Sequence, residues 1–229
     1  MRFLSRPRYH LLVSCALLLA LVVTRSSIAV AAESATDSPF PAPGTYKLDR
    51  IQPMANGWVL EQSKWRPHRL STYTTGKITL FSFFYGTCRD PQGCPATWAA
   101  FETIQSELEK DKELNGRVRL LFLSLDPSVD TPEMLSFYTS KSTPEVPWHF
   151  LTTWSDWFLH PIMKSLSLTT SRAVDENGKQ TGEIYHMVRV YLIDPEGWVR
   201  EIYATGFFDP DVVINDIKTL VLEENKKKH

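Results

Sequence analysis

Residues 77–95 read KITLFSFFYGTCRDPQGCP, and the architecture of the chain can be predicted outward from them. Lys77 to Tyr85 is an almost continuous apolar and aromatic run, which predicts a strand covered on both faces, as in a parallel sheet. Two cysteines, Cys88 and Cys94, follow among residues that favour turns. Pro95 suits the first position of a helix. The stretch therefore predicts a buried strand, a cysteine-bearing loop and a helix.

The following segments continue this alternation of strands and helices. The first helix is predicted from Pro95 to about Lys112, because apolar residues between Trp98 and Leu108 recur at helical spacing. Arg117 to Leu125 repeats the apolar pattern of the first strand, which completes a βαβ unit. A second helix is predicted to begin with Asp130 as its N-cap. A shorter helix is predicted over Asp156–Ser165.

The last part of the chain has an antiparallel pattern. Val188–Asp194 alternates and predicts a strand, and Trp198–Tyr203 returns as its hairpin partner after a type I turn at Asp194–Gly197. A final helix is predicted from Asp209 to about Glu223, and a small hairpin within Trp58–Tyr73. This order is that of thioredoxin. We predict an α/β, thioredoxin-like fold, with a central mixed sheet flanked by helices and an N-terminal extension.

The N-terminal segment has the features of a targeting signal. Three arginines within the first eight residues precede an apolar run from Leu11 to Val23, and Ala29–Ala31 has the small-x-small pattern of a cleavage site. The run is shorter than the ~20 residues that span a bilayer as a helix. We expect a signal peptide over residues 1–31, with an uncleaved N-terminal anchor as the alternative. Residues 32–50, rich in proline and small polar residues, are predicted to be a linker, and residues 51–229 the domain.

Composition excludes several classes of protein. The chain has 25 Lys+Arg and 26 Asp+Glu, a net charge of −1, which argues against nucleic-acid binding because such domains carry a basic face. A hydrophobic content of 43% argues against disorder. Without residues 1–31, two cysteines remain, Cys88 and Cys94. The expected signal peptide would direct the chain beyond the inner membrane, where the compartment is oxidising. Two thiols kept in such a compartment indicate a function.

The cysteine pair is the first candidate site. It lies in a strand-to-helix loop, at the end of the sheet where α/β folds bind ligands. If Pro95 is the first helical residue, Cys94 is the N-cap, and we expect the helix dipole and the nearby Arg89 to lower its thiol pKa. The pair can then cycle with a disulfide or chelate a soft metal such as Cu(I). A plain structural disulfide is the third interpretation, whereas structural zinc would require four ligands.

A histidine could complete a metal site with the two cysteines. Five histidines remain beyond the signal segment: His68, His149, His160, His186 and His229. His149 and His160 lie among aromatic residues and are expected to pack there. His186 follows a polar loop, Asp175–Glu183, and precedes the strand that begins near Val188. In a thioredoxin-like fold this loop lies beside the cysteine loop, so topology favours His186.

Four stretches, in this order, resemble the SCO/SenC family of copper proteins. They are Gly76-Lys77 with LFSFFYGTC and Cys94-Pro95, LSLDPSVDTPE at residues 123–133, WHFLT at residues 148–152, and Tyr185-His186 running into YLIDPEG. Together they cover roughly residues 57–222. The resemblance implies a thioredoxin-like fold and copper, as Cu(I) and as Cu(II), bound by Cys88, Cys94 and His186.

The resemblance also implies a function. The expected protein is a periplasmic copper carrier without turnover chemistry, at the outer face of the inner membrane if its N-terminus is an anchor that tethers it. It would deliver copper to, or maintain the thiols of, a cuproenzyme site such as the dinuclear copper centre of cytochrome c oxidase. We expect a monomer whose partners are this cuproenzyme client and a thiol reductant. The alternative is a periplasmic thiol–disulfide oxidoreductase in which Cys88 and Cys94 are the catalytic, redox-active pair.

Two features depart from the family pattern. Five residues separate the cysteines, where the usual motif has three. The turn formers Asp90–Gly93 could fold this longer loop back and bring the sulfurs together. Tyr185 precedes His186, where the family often has an aspartate, so this position brings no negative charge to the imidazole.

Overall fold

The computed structural model describes residues 40–139, 145–204 and 208–228. The expected signal peptide or anchor over residues 1–31, and residues 32–39 of the expected linker, lie outside the described residues. Within the described ranges, none of the helices combines the length and apolar character required to cross a bilayer.

The described residues form ten strands and five helices. The strands are β1 (Gln52–Pro53), β2 (Trp58–Glu61), β3 (Pro67–Arg69), β4 (Ile78–Phe84), β5 (Val118–Ser124), β6 (Trp148–Thr152), β7 (Thr170–Val174), β8 (Gln180–His186), β9 (Arg189–Ile193) and β10 (Trp198–Ala204). The helices are α1 (Ser71–Thr74), α2 (Cys94–Lys110), α3 (Pro132–Thr139), α4 (Asp156–Ser165) and α5 (Pro210–Lys227). Eight strands form one sheet in the order β1-β10-β9-β4-β5-β6-β2-β3.

This sheet is mixed, as predicted. Strands β4, β5 and β6 are parallel neighbours, and β9 pairs with β4 in the antiparallel direction. Every residue of β4 is buried, which confirms a central strand covered on both faces. Helix α2 connects β4 to β5 and packs beside α5. The thioredoxin-like α/β fold is confirmed.

The hairpins predicted at the two ends of the domain are present. Strand β2 pairs with β3, and β9 pairs with β10 through a turn in which Gly197 N–H donates to the Asp194 carbonyl over 2.9 Å. Ahead of β1, residues 40–50 of the expected linker contact the domain. Leu48 is buried, and the Tyr46 hydroxyl donates to the Asp216 carboxylate over 2.6 Å.

Two predicted helix caps are wrong. Gly93 is the N-cap of α2, so that Cys94 is its first residue and Pro95 its second. Helix α3 begins at Pro132, and Thr131 Oγ1 accepts from the N–H of Met134 over 3.4 Å. Asp130 is buried, and its carboxylate accepts from Gly86 and Ser124 at the ends of β4 and β5 instead. Its position just before a helix therefore does not make it the cap.

Strands β7 and β8 form a separate antiparallel hairpin that sequence analysis missed. Thr170 pairs with His186 and Arg172 with Ile184, so most of the expected polar loop over Asp175–Glu183 is the hairpin turn and the start of β8. Most side chains of both strands are exposed. Since neither strand buries a full face, no alternation of apolar and polar residues marked them in the sequence.

Candidate metal centre

The cysteine loop begins where β4 ends and closes by local hydrogen bonds. The N–H of Cys88 donates to the Tyr85 carbonyl over 3.1 Å. Asp90 accepts from Gln92 N–H through its side chain and from Gly93 N–H through its carbonyl, each over 3.0 Å. The residues between the cysteines therefore form a compact turn, as their composition predicted.

Both cysteines are free thiols and their side chains interact with each other. Cys88 is half-buried, and Cys94 is 8% exposed. They line one cavity of about 180 Å³ together with aromatic rings, among them Tyr85, Trp98 and Tyr138. The structure thus brings the two predicted thiols together across the longer spacing.

The expectation of a lowered Cys94 pKa is wrong. Burial raises the pKa of the Cys94 thiol, and the neighbouring Cys88 sulfur raises it further. The sulfur lies in an apolar cavity, where loss of hydration disfavours the thiolate more than the helix terminus favours it. The Arg89 side chain is exposed. The Cys94 thiol is therefore protonated at neutral pH until a metal or an oxidant displaces its proton.

His186 ends strand β8 with one ring nitrogen bonded and the other free for a ligand. Its Nδ1 lies 3.1 Å from the Ile184 carbonyl oxygen. Because a carbonyl only accepts, Nδ1 carries the proton and Nε2 carries the lone pair. Nε2 is buried and has no hydrogen-bond partner among the described residues. Burial also lowers the His186 pKa, which keeps the imidazole in the neutral form that binds metals.

The hairpin carries His186 to the cysteine loop. The Tyr85 hydroxyl accepts from Ile184 N–H over 3.3 Å, and Thr87 Oγ1 donates to the Gly182 carbonyl over 3.5 Å. The Tyr85 and His186 rings are in T-shaped contact with centroids 6.0 Å apart. The two halves of the predicted site therefore meet at Tyr85.

The three predicted ligands are neighbours but do not yet converge. In the part of the chain that is described, no group of three or more His, Cys, Asp or Glu side chains is placed to hold a metal ion together. The donor set nevertheless fits copper, because two sulfurs and one imidazole nitrogen are ligands that Cu(I) prefers. The Nε2 of His186, which lacks a partner in the described part of the chain, supports the same conclusion.

Other histidines lie elsewhere. His149 packs against Tyr73 and its Nδ1 is 2.9 Å from Glu61 Oε1, which confirms its expected packing role. His68 is also near Tyr73, with ring centroids 6.1 Å apart. His160 is exposed on α4, so its expected packing is wrong. Among the histidines that the structure describes, His186 lies at the cysteine loop.

Charges near the imidazole come from the loop. Tyr185, the residue before His186, is 61% exposed. Burial lowers the His186 pKa, and the negative charge of Asp90 acts in the opposite direction and raises it. The insertion between the cysteines thus contributes a carboxylate to the surroundings of the site.

Two buried carboxylates hold the elements that carry the site. Asp130 accepts from Gly86 N–H over 3.0 Å and from Ser124 Oγ over 2.5 Å, which links the ends of β4 and β5 below the cysteine loop. Burial raises the Asp130 pKa. Asp126, after β5, accepts from Arg172 over 3.3 Å and so ties the β7–β8 hairpin to the sheet.

Sequence analysis missed the positioning roles of Arg172 and Asp130. A signal for the hairpin was present, because Asn177-Gly178 between two short segments is typical of a tight turn. Gly178 adopts φ +77°, a conformation that glycine tolerates. The hairpin explains why an arginine at residue 172 can reach a strand end 46 residues earlier in the chain.

Comparisons with known proteins agree with this geometry. The family model of SCO1/SenC matches residues 68–222. The SCO1 protein homolog of Bacillus subtilis is 25% identical over 146 residues, which are 63% of this chain and 71% of the homolog. The copper-bound crystal structure of Arabidopsis thaliana ScoI superposes with a TM-score of 0.61 at 18% identity and covers 74% of this chain and 98% of ScoI.

A further similar structure is that of BsSco, in which a disulfide switch was identified and which is a member of the Sco family of cytochrome c oxidase assembly proteins. Its TM-score is 0.57 at 23% identity, covering 76% of this chain and 96% of BsSco. At these identities the structures establish the shared fold. The family model matches more than half of the chain, including the cysteine loop and the hairpin. The chain therefore belongs to the SCO1/SenC family.

Proposed function

We propose that this protein binds one copper ion through Cys88, Cys94 and His186 and delivers it to a cuproenzyme site, such as the dinuclear copper centre of cytochrome c oxidase. The observation that carries this proposal is the buried Nε2 of His186, which has no partner among the described residues, beside a pair of neighbouring free thiols. The copper bound by Arabidopsis ScoI and the membership of BsSco in a family of oxidase assembly proteins support it.

The chemistry of the donors supports copper over other metals. Two thiolates and an imidazole form a soft, three-coordinate set suited to Cu(I), and the imidazole also suits Cu(II). Copper must displace the proton of Cys94, whose pKa is raised by burial, so binding releases protons. The His186 ring is already neutral and contributes its lone pair without losing a proton.

We propose a monomer in the periplasm or at the outer face of the inner membrane, secreted through the N-terminal segment or anchored by it. In that oxidising compartment the cysteine pair needs a thiol reductant before it can accept Cu(I). The cuproenzyme client is the second partner.

Competition binding of Cu(I) and Cu(II) to the reduced protein tests the ligand set. We expect one equivalent of Cu(I), with affinity collapsing in Cys88→Ser and in Cys94→Ser. His186→Ala should weaken Cu(I) less than Cu(II), because two thiolates still hold Cu(I). His160→Ala is the matched control, since this exposed histidine on α4 is not a predicted ligand. Copper binding that survives removal of both thiols would contradict the proposal.

A thiol–disulfide oxidoreductase is the second candidate, favoured by the interaction of the Cys88 and Cys94 side chains. Half-buried Cys88 would attack a substrate disulfide, and Cys94 would resolve the mixed disulfide by attacking Cys88, releasing the substrate as a dithiol. If the reduced wild-type protein binds no more copper than a Cys88→Ser/Cys94→Ser variant, it should be assayed for reduction of a disulfide substrate. Activity there, lost in Cys88→Ser, would favour this function over copper delivery.

A further inference from the structure

The Tyr85 hydroxyl lies between the two halves of the proposed copper site. Tyr85 is the residue after β4, and only 5% of it is exposed. Its hydroxyl oxygen accepts from Ile184 N–H over 3.3 Å, on the side of the hairpin. On its other side, Tyr85 lines the same cavity as Cys88, with the hydroxyl beside the Cys88 sulfur. A hydroxyl that accepts one hydrogen bond retains its own proton, so it can donate that proton to the sulfur.

Ile184 transmits the position of this hydroxyl to the predicted histidine ligand. The Ile184 N–H is held by Tyr85, and the Ile184 carbonyl accepts from His186 Nδ1 over 3.1 Å. One residue of β8 thus connects the two rings through its two backbone groups. Fixing the Ile184 backbone fixes both the direction of the imidazole and the tautomer that leaves Nε2 free for a metal.

We infer that Tyr85 is a positioning residue of the copper site, whose hydroxyl holds Cys88 on one side and, through Ile184, His186 on the other. This inference rests on the proposed function and adds a residue that couples its thiol ligands to its histidine ligand. The aromatic ring alone would serve to fill the cavity, so the inference concerns the hydroxyl group. Tyr85→Phe removes that group and keeps the ring against His186.

Tyr138 provides a matched control for this substitution. Its ring lines the same cavity as Tyr85 and the two cysteines. Its hydroxyl points at Gly86, so closely that a Cβ added to Gly86 would clash with this hydroxyl. Within the described ranges, no hydrogen bond links that hydroxyl to either cysteine or to His186. Tyr138→Phe therefore removes a hydroxyl from the same cavity wall without touching the proposed connection.

The test is Cu(I) and Cu(II) competition binding to the reduced full chain, in wild type, Tyr85→Phe and Tyr138→Phe. We expect Tyr85→Phe to weaken Cu(II) about tenfold, the lower end of the range for partners that orient metal ligands. Tyr138→Phe should stay within about twofold of wild type, well below that range. Denaturant unfolding of each metal-free variant establishes that it is folded.

A double-mutant cycle separates positioning from general destabilisation. If Tyr85 acts on copper largely through His186, most of the Cu(II) loss caused by Tyr85→Phe disappears in a His186→Ala background. A Tyr85→Phe variant that binds copper like wild type, or that loses the same affinity in both backgrounds, would overturn the inference. Failure of wild type to bind copper through its cysteines would overturn the proposed function instead.

A spectroscopic measurement on the metal-free protein adds a readout that does not depend on copper. Long-range proton–nitrogen NMR spectra should show the His186 ring as the Nδ1–H tautomer in wild type and in Tyr138→Phe. In Tyr85→Phe we expect a mixture of tautomers, because the Ile184 backbone is no longer held. An unchanged tautomer in Tyr85→Phe would contradict the route through Ile184.

Discussion

The two cysteines of the loop differ in their surroundings, and this difference sets their order of reaction. Cys94 is buried at the start of α2 and its pKa is raised, whereas Cys88 is half-buried in the loop. Since the thiolate is the nucleophile, Cys88 is the thiol that meets an incoming disulfide or metal first. In the proposed copper site, Cys94 would bind second and lose its proton.

Alkylation of the reduced protein tests this order. With iodoacetamide at pH 8, we expect Cys94 to react at least about tenfold more slowly than Cys88, because each unit of raised pKa lowers the thiolate fraction about tenfold. Mass spectrometry of the two cysteine peptides over time gives both rates. In denaturant the rates should become similar. Equal rates in the folded protein would mean that burial does not protect Cys94.

Glu61 is a second residue whose surroundings dictate a measurable behaviour. Its buried carboxylate contacts His149 over 2.9 Å and Lys64 over 2.5 Å. The hydrogen bond with His149 is the main cause that lowers its pKa from 4.5 to about 2, and Lys64 contributes further. The folded state therefore binds this proton less readily than the unfolded chain. The resulting stabilisation is present above pH 4.5 and is lost as the pH falls toward 2.

Glu61→Gln should remove this pH-dependent stabilisation. We expect the free energy of unfolding at pH 7 to fall by about 2 kcal/mol, and the difference from wild type to shrink toward pH 2. Urea denaturation at several pH values measures both. Glu113→Gln, at an exposed position, is the control and should follow wild type. A difference that stays constant with pH would show that packing, not charge, accounts for the loss.

Among the strands and helices, the deeply buried ones were predicted best from the sequence. Strand β4 and the loop after it could be predicted because Ile78–Phe84 is buried throughout. The strands β7 and β8 gave no such pattern, because their side chains are largely exposed and Ile184 is the one buried residue of β8, so only the Asn177-Gly178 turn signalled the hairpin. The candidate ligands could therefore be predicted from motif order, but the contact of Tyr85 with Ile184 depends on that missed hairpin.

Arg172 is the anchor of this hairpin. It donates to buried Asp126 over 3.3 Å and lies 3.5 Å from Asp156 on α4. Arg172→Met should leave Asp126 buried without its cation and loosen β8. We expect amide hydrogen exchange over Gln180–His186 to rise about tenfold, which corresponds to a local opening free energy lowered by about 1.4 kcal/mol.

Mass-spectrometric hydrogen exchange measures this change in peptides that cover the hairpin. The amides of β4 and β5 should keep their wild-type protection, because their ladder is within the central sheet. Lys179→Met, at the exposed hairpin turn, is the matched control and should exchange like wild type. If β8 exchanges normally without Arg172, the contacts of Tyr85 and Thr87 suffice to hold the hairpin.

At the scale of the whole molecule, the stabilising charge network and the candidate site lie at opposite ends of the central strand. Arg200 is buried on β10 and donates to Asp194 over 3.0 Å and to Glu223 on α5 over 2.6 Å. It also donates to the Leu48 carbonyl over 3.0 Å. It thereby joins the segment before β1, the β9–β10 turn and the last helix. The residue next to that turn, Ile193, pairs with Thr79 at the amino end of β4.

Arg200→Met should therefore weaken the fold without altering the site. Buried Asp194 would keep only the more distant Arg50, 3.9 Å away, so we expect the free energy of unfolding to fall by about 3 kcal/mol. The cysteine loop begins roughly 17 Å further along β4, at about 3.3 Å per residue. Cu(I) affinity, measured well below the unfolding transition, should stay within about twofold of wild type, because a charge change at this distance is screened.

Arg66→Met, at an exposed position, controls for loss of a positive charge and should change neither the free energy of unfolding nor the Cu(I) affinity. A large loss of copper affinity in folded Arg200→Met would mean that strain at the base of β4 reaches the cysteine loop, and that the site is not determined by its local contacts.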